Sequence, residues 1–178
     1  MRECFGRVVY SHKTHHKCAD FALNRLDLIK KSQIGLSALT TGGFLGILFG
    51  DGMWFAVAGT AVSTALLALN TYSKDYNLGE IAERHRQAAS ELWLIREKYL
   101  SLLSDLRSGF LSPEDARGQR DTLLEQLGAV YAGAPNTNAR AYREAQNALQ
   151  NMEELTFSDS EIDAFLPRAL RKGMSSDA

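Results

Sequence analysis

Two apolar segments separated by a short polar turn dominate the pattern of hydrophobic and polar positions along the chain. The 42 residues from 32 to 73 carry a single charged side chain, Asp51. Residues 32–50 predict one apolar helix and residues 53–73 a second, with Gly50, Asp51 and Gly52 forming the turn. A helix of 21 residues extends about 31 Å, close to the thickness of a bilayer's hydrocarbon core. The short turn predicts that the two helices are antiparallel neighbours.

The polar segments on either side of these helices also show helical periodicity. Residues 1–31 hold seven Lys/Arg and three Asp/Glu, and residues 19–31 predict an amphipathic helix. Residues 1–18, which end in a cluster of His and Lys, are expected to form a solvated basic tail. Residues 74–178 predict a cytosolic helical domain whose last residues, 174–178, are frayed.

The cytosolic domain is expected to contain several helices with recognisable ends. Apolar residues recur at steps of three and four in the longest of them, which Gly109 ends. Ser158, followed three residues later by Glu161, resembles a capping box for a short last helix. The predicted helices cover residues 78–106, 113–128 and 139–154 and a short stretch after Ser158. The fold class is therefore all-α: a transmembrane hairpin with an N-terminal amphipathic helix and a cytosolic helical bundle.

A membrane hairpin explains the apolar segments better than a buried helix pair in a soluble bundle. Residues 53–73 lack any charge, whereas a core helix in a domain of this size keeps a polar edge. Lys30, Lys31 and Lys74 flank the hairpin at its outer ends, and the connecting turn has no basic residue. This asymmetry follows the positive-inside rule. It predicts a multi-pass membrane protein with both termini in the cytoplasm.

Small and polar residues are confined to particular faces of the two apolar helices. The predicted packing face of the first helix consists of Gly35, Gly42, Gly46 and Gly50. Glycines at four-residue spacing let another helix approach closely, either the second helix or a second copy of the chain. The polar stripe of the second helix contains Thr60, Ser63, Thr64, Asn70 and Thr71. Such a stripe either forms interhelical hydrogen bonds or lines a pore built from several copies.

Charge and motifs argue against catalysis, metal binding and nucleic-acid binding. A formal net charge of −1 excludes a strongly basic surface for nucleic acid. The chain has two cysteines, too few for a fold held together by disulfides, so a reducing compartment is expected. His12, His15, His16 and Cys18 lie close together, but their spacing matches no common zinc site. His85 is expected on the surface, and no phosphate-binding glycine loop or nucleophile motif occurs. We therefore expect no enzyme activity and no cofactor.

The order of these features resembles that of SLATT-domain proteins, the SMODS- and SLOG-associating two-transmembrane effectors of bacteria. The resemblance covers about residues 19–155 and rests on the layout together with a few positions. The positions that carry it include Leu26, Ser73, Lys74, Asp75, Tyr76 and Tyr142. The family has no catalytic residues to transfer to this chain.

Similarity to that family implies a membrane effector of nucleotide-activated antiphage defence. Such a protein would form a homo-oligomer through its hairpin and permeabilise the inner membrane, triggered by a cyclic nucleotide or a nucleotide-sensing protein partner. Residues 108–178 carry seven basic and eleven acidic side chains, which disfavours capture of an anionic nucleotide by that segment alone. A passive membrane anchor or scaffold and a holin-like lysis protein stay open as alternatives.

Overall fold

The computed structural model describes residues 1–49, 52–152 and 154–172, and this part of the chain is helical without any strand. The predicted all-α class is confirmed. Gly50 and Asp51, in the predicted turn, and the end of the chain that was expected to fray lie outside the described residues. The helices are α1 (Arg2–Phe49), α2 (Gly52–Asp75), α3 (Leu78–Ser108), α4 (Pro113–Gly133), α5 (Ala139–Asn151) and α6 (Asp159–Phe165), followed by a 3₁₀ turn at Arg168–Leu170.

α1 is one continuous helix of 48 residues, which makes it about 72 Å long. The solvated tail expected for residues 1–18 is therefore wrong. Val8, His12 and His15 are at most 5% exposed. The reason is that the apolar face of residues 19–31 continues towards the N-terminus at alternating steps of three and four, with histidine at two of its positions. The buried seam of α1 consists of Val8, His12, His15, Ala19, Ala22 and Ile29, with the half-buried Leu26 between the last two.

α2 and α3 follow one another along α1, and both run antiparallel to it. Gln33 in the second half of α1 donates a hydrogen bond of 2.8 Å to the Oδ1 atom of Asn70 in α2. In the first half of α1, the ring of His15 forms a hydrogen bond with the ring of His85 in α3. α1 therefore belongs to two substructures, because its second half pairs with α2 and its first half with α3.

The hydrophobic core lies between the first half of α1, α3 and α4. Its buried members are Val8, Leu92, Ile95, Tyr99, Leu102, Ala116, Leu123 and Leu127. α5 lies against α1 and buries three alanines that follow one another at steps of four and three: Ala141, Ala145 and Ala148. Their small side chains allow the two helices to approach closely.

The ends of the helices follow local capping signals with one exception. Gly109 adopts the left-handed conformation with φ of 74° and ends α3, as the sequence predicts. The capping box at Ser158 is confirmed. α4 instead continues past its predicted end at Gly128 to Gly133. Packing of Val130 against the bundle core offsets the cost of a glycine within a helix, which is about 1 kcal/mol.

The second half of α1 and α2 lie outside the bundle core. Among the described residues, none between Ile29 and Leu78 is fully buried. The range Met53–Ser108, which contains most of α2 and all of α3, includes an 18-residue window with a mean hydropathy of 1.5, long and apolar enough to cross a membrane. None of that window is buried, and it is the one such stretch found in the described part of the chain. Large apolar side chains are exposed along both helices: Ile34 is 71% exposed and Trp54 is 82% exposed.

Candidate functional site

An open groove with a volume of about 460 Å³ runs along one side of the α1–α2 pair. We call it the hairpin groove. Its lining residues are Thr40 and Phe44 of α1 and Ala56, Gly59, Thr60, Ser63, Thr64 and Leu67 of α2. The wall from α2 is therefore the stripe of small and hydroxylated residues that the sequence predicts, and the α1 wall adds one further hydroxyl group.

Three threonine hydroxyl groups of the hairpin groove donate hydrogen bonds to backbone carbonyls of their own helices. The Oγ1 atom of Thr60 donates to the carbonyl oxygen of Ala56 over 2.8 Å, and that of Thr64 donates to the carbonyl oxygen of Thr60 over 2.9 Å. Thr40 donates in the same way to Leu36 within α1. The three threonine donors are thus satisfied within their own helices, and their oxygen lone pairs remain able to accept. None of the residues that line the groove carries a charge.

The remaining members of the polar stripe have different surroundings. Asn70 is bonded to Gln33 across the two helices, which is the interhelical hydrogen bond considered from the sequence. Thr71 is exposed and lies outside the groove lining. Sequence reasoning missed Thr40 and Phe44, because the side of α1 that meets the α2 stripe depends on how the two helices pack. No local signal in the sequence carries that information.

The predicted glycine face lies on the opposite side of α1 from the hairpin groove. Gly42 follows Thr40 by two residues, which places it about 200° further around the helix. A Cβ atom on Gly35 or Gly42 would meet no neighbouring heavy atom within 4 Å. α2 therefore does not pack against these positions. Gly46 lies within α1, and Gly50 lies outside the described residues. The packing role of this face stays a prediction about contacts with another copy.

Ser73, Lys74, Asp75 and Tyr76, on which the family resemblance partly rests, form the junction between α2 and α3. Tyr76 stacks on Tyr72, with their ring centroids 4.6 Å apart. The guanidinium of Arg25 lies over the ring of Tyr72, 5.3 Å from its centroid. These contacts hold the base of the hairpin against α1. Three exposed lysines surround this base: Lys30, Lys31 and Lys74.

Buried histidines join α1 to α3, and the surface position predicted for His85 is wrong. His85 is 4% exposed, and its Nδ1 atom lies 2.9 Å from the Nδ1 atom of His15. One ring must therefore donate the proton and the other accept it. The Nδ1 atom of His12 donates to the carbonyl oxygen of Ala89 over 2.9 Å. The signal for His12 and His15 was their place in the buried seam of α1, which the polar character of histidine obscured.

The histidine cluster carries no charge at neutral pH. Burial, together with the positive charges that His85, His12 and His16 would carry, lowers the pKa of His15 to about 4. Burial also lowers the pKa of His85, and it lowers the pKa of His12 despite the opposing effect of the bond to Ala89. In the part of the chain that the structure describes, no group of three or more His, Cys, Asp or Glu is placed to hold a metal ion. The cluster is therefore a neutral joint between two helices.

Comparison with protein-family models matches residues 1–161 to the SMODS and SLOG-associating 2TM effector domain family 4. The match confirms the resemblance and extends it to the first 18 residues, which the layout of the sequence had left out. No curated protein and no solved structure matches the chain. The family is described as a family of effector domains with two transmembrane segments, and its description names no enzymatic reaction.

Proposed function

Because the chain belongs to the SMODS and SLOG-associating 2TM effector domain family 4, we propose that it permeabilises the bacterial inner membrane as the effector of a nucleotide-activated antiphage defence system. In this proposal the α1–α2 pair spans the bilayer, and several copies assemble into a conducting ring. The observation that carries the proposal is the hairpin groove, a set of hydroxyl groups along a helix pair whose other surfaces are mainly apolar.

Exposure along the helix pair supports its placement in lipid. A soluble protein rarely leaves a continuous apolar surface of this extent open to water, and the bundle already has a core of its own. The exposed Lys30, Lys31 and Lys74 lie at the bundle end of the pair. In this orientation the bundle and both termini lie in the cytoplasm, where basic flanking residues are favoured.

The two opposite sides of α1 support assembly into a closed ring. Thr40 contributes to the polar hairpin groove on one side, and Gly42 lies in the open glycine face on the other. A contact between two different faces repeats from copy to copy and closes when the rotation allows it. Glycines favour such contacts because helices in lipid associate through close packing. In the ring we propose, the glycine side of α1 packs on a face of the neighbouring helix pair outside its hairpin groove, and the hydroxyl groups of each groove line the channel.

The cytosolic bundle controls the assembly in this proposal. α1 passes without a break from the bundle into the hairpin, so a change in how the bundle holds α1 reaches the membrane directly. A cyclic nucleotide or a nucleotide-sensing partner favours the conducting state only as far as it binds that state more tightly. The chain acts as an effector without catalysis.

Dye release from vesicles tests the proposal. Full-length protein is reconstituted at increasing density into vesicles of phosphatidylethanolamine and phosphatidylglycerol loaded with a fluorescent dye. We expect release to rise steeply with protein density. We also expect the variant Thr60→Val/Ser63→Ala/Thr64→Val, which removes three hydroxyl groups with little change in volume, to release several-fold less dye. Thr41→Val removes a hydroxyl outside the groove lining and serves as the matched control. Equal release from the two variants would contradict the pore assignment.

Dye release and expression in cells separate the alternatives. A passive anchor or scaffold releases no dye at any protein density. A holin-like protein lyses cells as soon as it accumulates, with no dependence on a defence signal. Expression in cells with and without an activating nucleotide signal distinguishes such a protein from an effector, which depolarises the membrane only when the signal is present.

A further inference from the structure

A second open cavity lies in the bundle, far from the hairpin groove. It has a volume of about 630 Å³ and lies between the first turns of α1, the end of α4, the loop at 134–138 and α5. We call it the bundle pocket. Its size lies within the range of small-molecule sites, which is roughly 300–1,000 Å³. Nothing in the proposed pore requires a cavity at this place.

The walls of the bundle pocket are held in place by the protein itself. The hydroxyl groups of Ser11 and Tyr131 form a hydrogen bond of 2.7 Å that ties the end of α4 to α1. Gln150 of α5 donates to the phenolic oxygen of Tyr10 over 2.8 Å. The side chain of Asn138 caps α5 at the end of the loop. Because these walls are already fixed, ligand binding does not carry a large free-energy cost for ordering the site.

The chemistry of the lining suits a flat ring with a polar edge and one anionic group. The rings of Tyr10 and Tyr142 stack with their centroids 5.8 Å apart, and Tyr142 is 49% exposed, so it can stack on a further ring. Asn136 on the loop has a carboxamide that makes no hydrogen bond within the described residues and can both donate and accept. Arg7 provides the one side-chain cation among the lining residues described.

The charge of the pocket limits what it can hold. The guanidinium of Arg7 lies 3.9 Å from the carboxylate of Glu3, and both side chains are largely exposed. Such a surface pair is weak, so Arg7 is free to turn to a phosphate. His15 also lines the pocket and is neutral there. One cation beside one carboxylate matches a single phosphate and opposes a ligand with several.

We propose that the bundle pocket binds a nucleoside monophosphate, with the base stacked on Tyr142 and its edge bonded to Asn136, and with the phosphate on Arg7. The effect of this binding on the membrane rests on the proposed function, because the bound nucleotide would act there by setting the position of α1. Tyr10 in the pocket and Thr40 in the hairpin groove belong to the same helix, about 45 Å apart along its axis. A ligand wedged between α1 and α5 therefore acts on the helix that lines the groove.

Calorimetry on the full-length protein in detergent micelles tests the binding. AMP, GMP, CMP and UMP are titrated at millimolar concentrations beside their nucleosides and the corresponding triphosphates. We expect at least one monophosphate to bind more tightly than both its nucleoside and its triphosphate. Tyr142→Ala and Arg7→Gln should each weaken that binding about tenfold, while Tyr76→Ala, an exposed tyrosine at the hairpin base, leaves it unchanged.

Two outcomes would overturn the pocket assignment: no heat from any of the four monophosphates, or equal affinity in the wild type and in the two pocket variants. Arg7 is exposed, so Arg7→Gln tests the phosphate contact even if Tyr142→Ala destabilises α5. Dye release separates this result from the proposed function. Vesicles that leak without any monophosphate binding refute the pocket and retain the pore. Binding without any leakage retains the pocket and refutes the pore.

Discussion

The Nδ1 atoms of His15 and His85 lie 2.9 Å apart in a hydrogen bond that joins α1 to α3 inside the bundle. Only one of the two rings carries the shared proton, so the joint is made of two neutral imidazoles. Full protonation of both rings would bring two positive charges together in a buried place. The bond therefore makes the α1–α3 contact sensitive to acid.

Lowering the pH from 7.5 to 5 should destabilise the bundle. The pKa of His15 falls from its ordinary value of 6.5 to about 4 in the folded protein. Between these values the unfolded chain binds more protons, so the free energy of unfolding is fully retained above pH 6.5 and falls as the pH drops through this window. His15 alone contributes a loss of about 2 kcal/mol at pH 5. The lowered pKa values of His12, His16 and His85 act in the same direction.

Thermal unfolding in detergent at a series of pH values measures this loss. His15→Gln keeps a hydrogen-bonding side chain next to His85 but removes the group with the lowered pKa. Its melting temperature should change less between pH 7.5 and 5 than that of the wild type. The same dependence on pH in both proteins would show that the histidine joint does not control acid stability.

Replacing the open glycines of α1 should weaken assembly without weakening the fold of the single chain. Gly35 and Gly42 have room for a side chain within the chain, so leucine there interferes only with a neighbouring copy. Gly35→Leu/Gly42→Leu should give fewer cross-linked oligomers in vesicles and an unchanged melting temperature of the bundle. Thr41→Leu places the same side chain about 100° away from Gly42 on the helix and provides the control. Oligomers that form equally well in both variants would refute the glycine face.

Gln33 and Asn70 should stabilise the pairing of α1 with α2 by a modest amount. Their side chains form a hydrogen bond of 2.8 Å between the two helices. Polar pairs between membrane helices contribute about 0.6 kcal/mol on average and at most about 1.7 kcal/mol. A double-mutant cycle with Gln33→Leu and Asn70→Leu, measured as resistance of the reconstituted hairpin to unfolding, should return a coupling energy in that range. Strictly additive losses would mean that the bond does not form in lipid.

Truncating Leu92 should strongly destabilise the bundle. Leu92 is fully buried in the core between α1, α3 and α4, and Leu92→Ala should cost about 2–5 kcal/mol. The neighbouring Trp93 is 48% exposed, so Trp93→Ala should cost much less despite the larger side chain removed. Denaturation of the two variants in the same detergent compares them. A greater loss for Trp93→Ala would mean that this face of α3 is covered in the assembled protein.

Signals that act within a few residues made much of the fold predictable. The helix end at Gly109 and the capping box at Ser158 depend on backbone groups next to them in the sequence, and both are confirmed. The end of α4 was predicted too early, because Gly128 is a local helix breaker and Val130 is retained in the helix by contacts with the distant bundle core.

The sequence by itself determined that the protein is all-helical, that residues 32–73 are almost free of charge, and that hydroxyl groups share one stripe of the second apolar helix. Periodicity and charge are properties of neighbouring positions, so they can be read along the chain. Only the tertiary structure decided that His15 is buried against His85, that Thr40 faces the stripe of α2, and that Gly42 faces away from α2. The surroundings of those side chains come from helices tens of residues away, and the energy that determines them is that of packing between the helices.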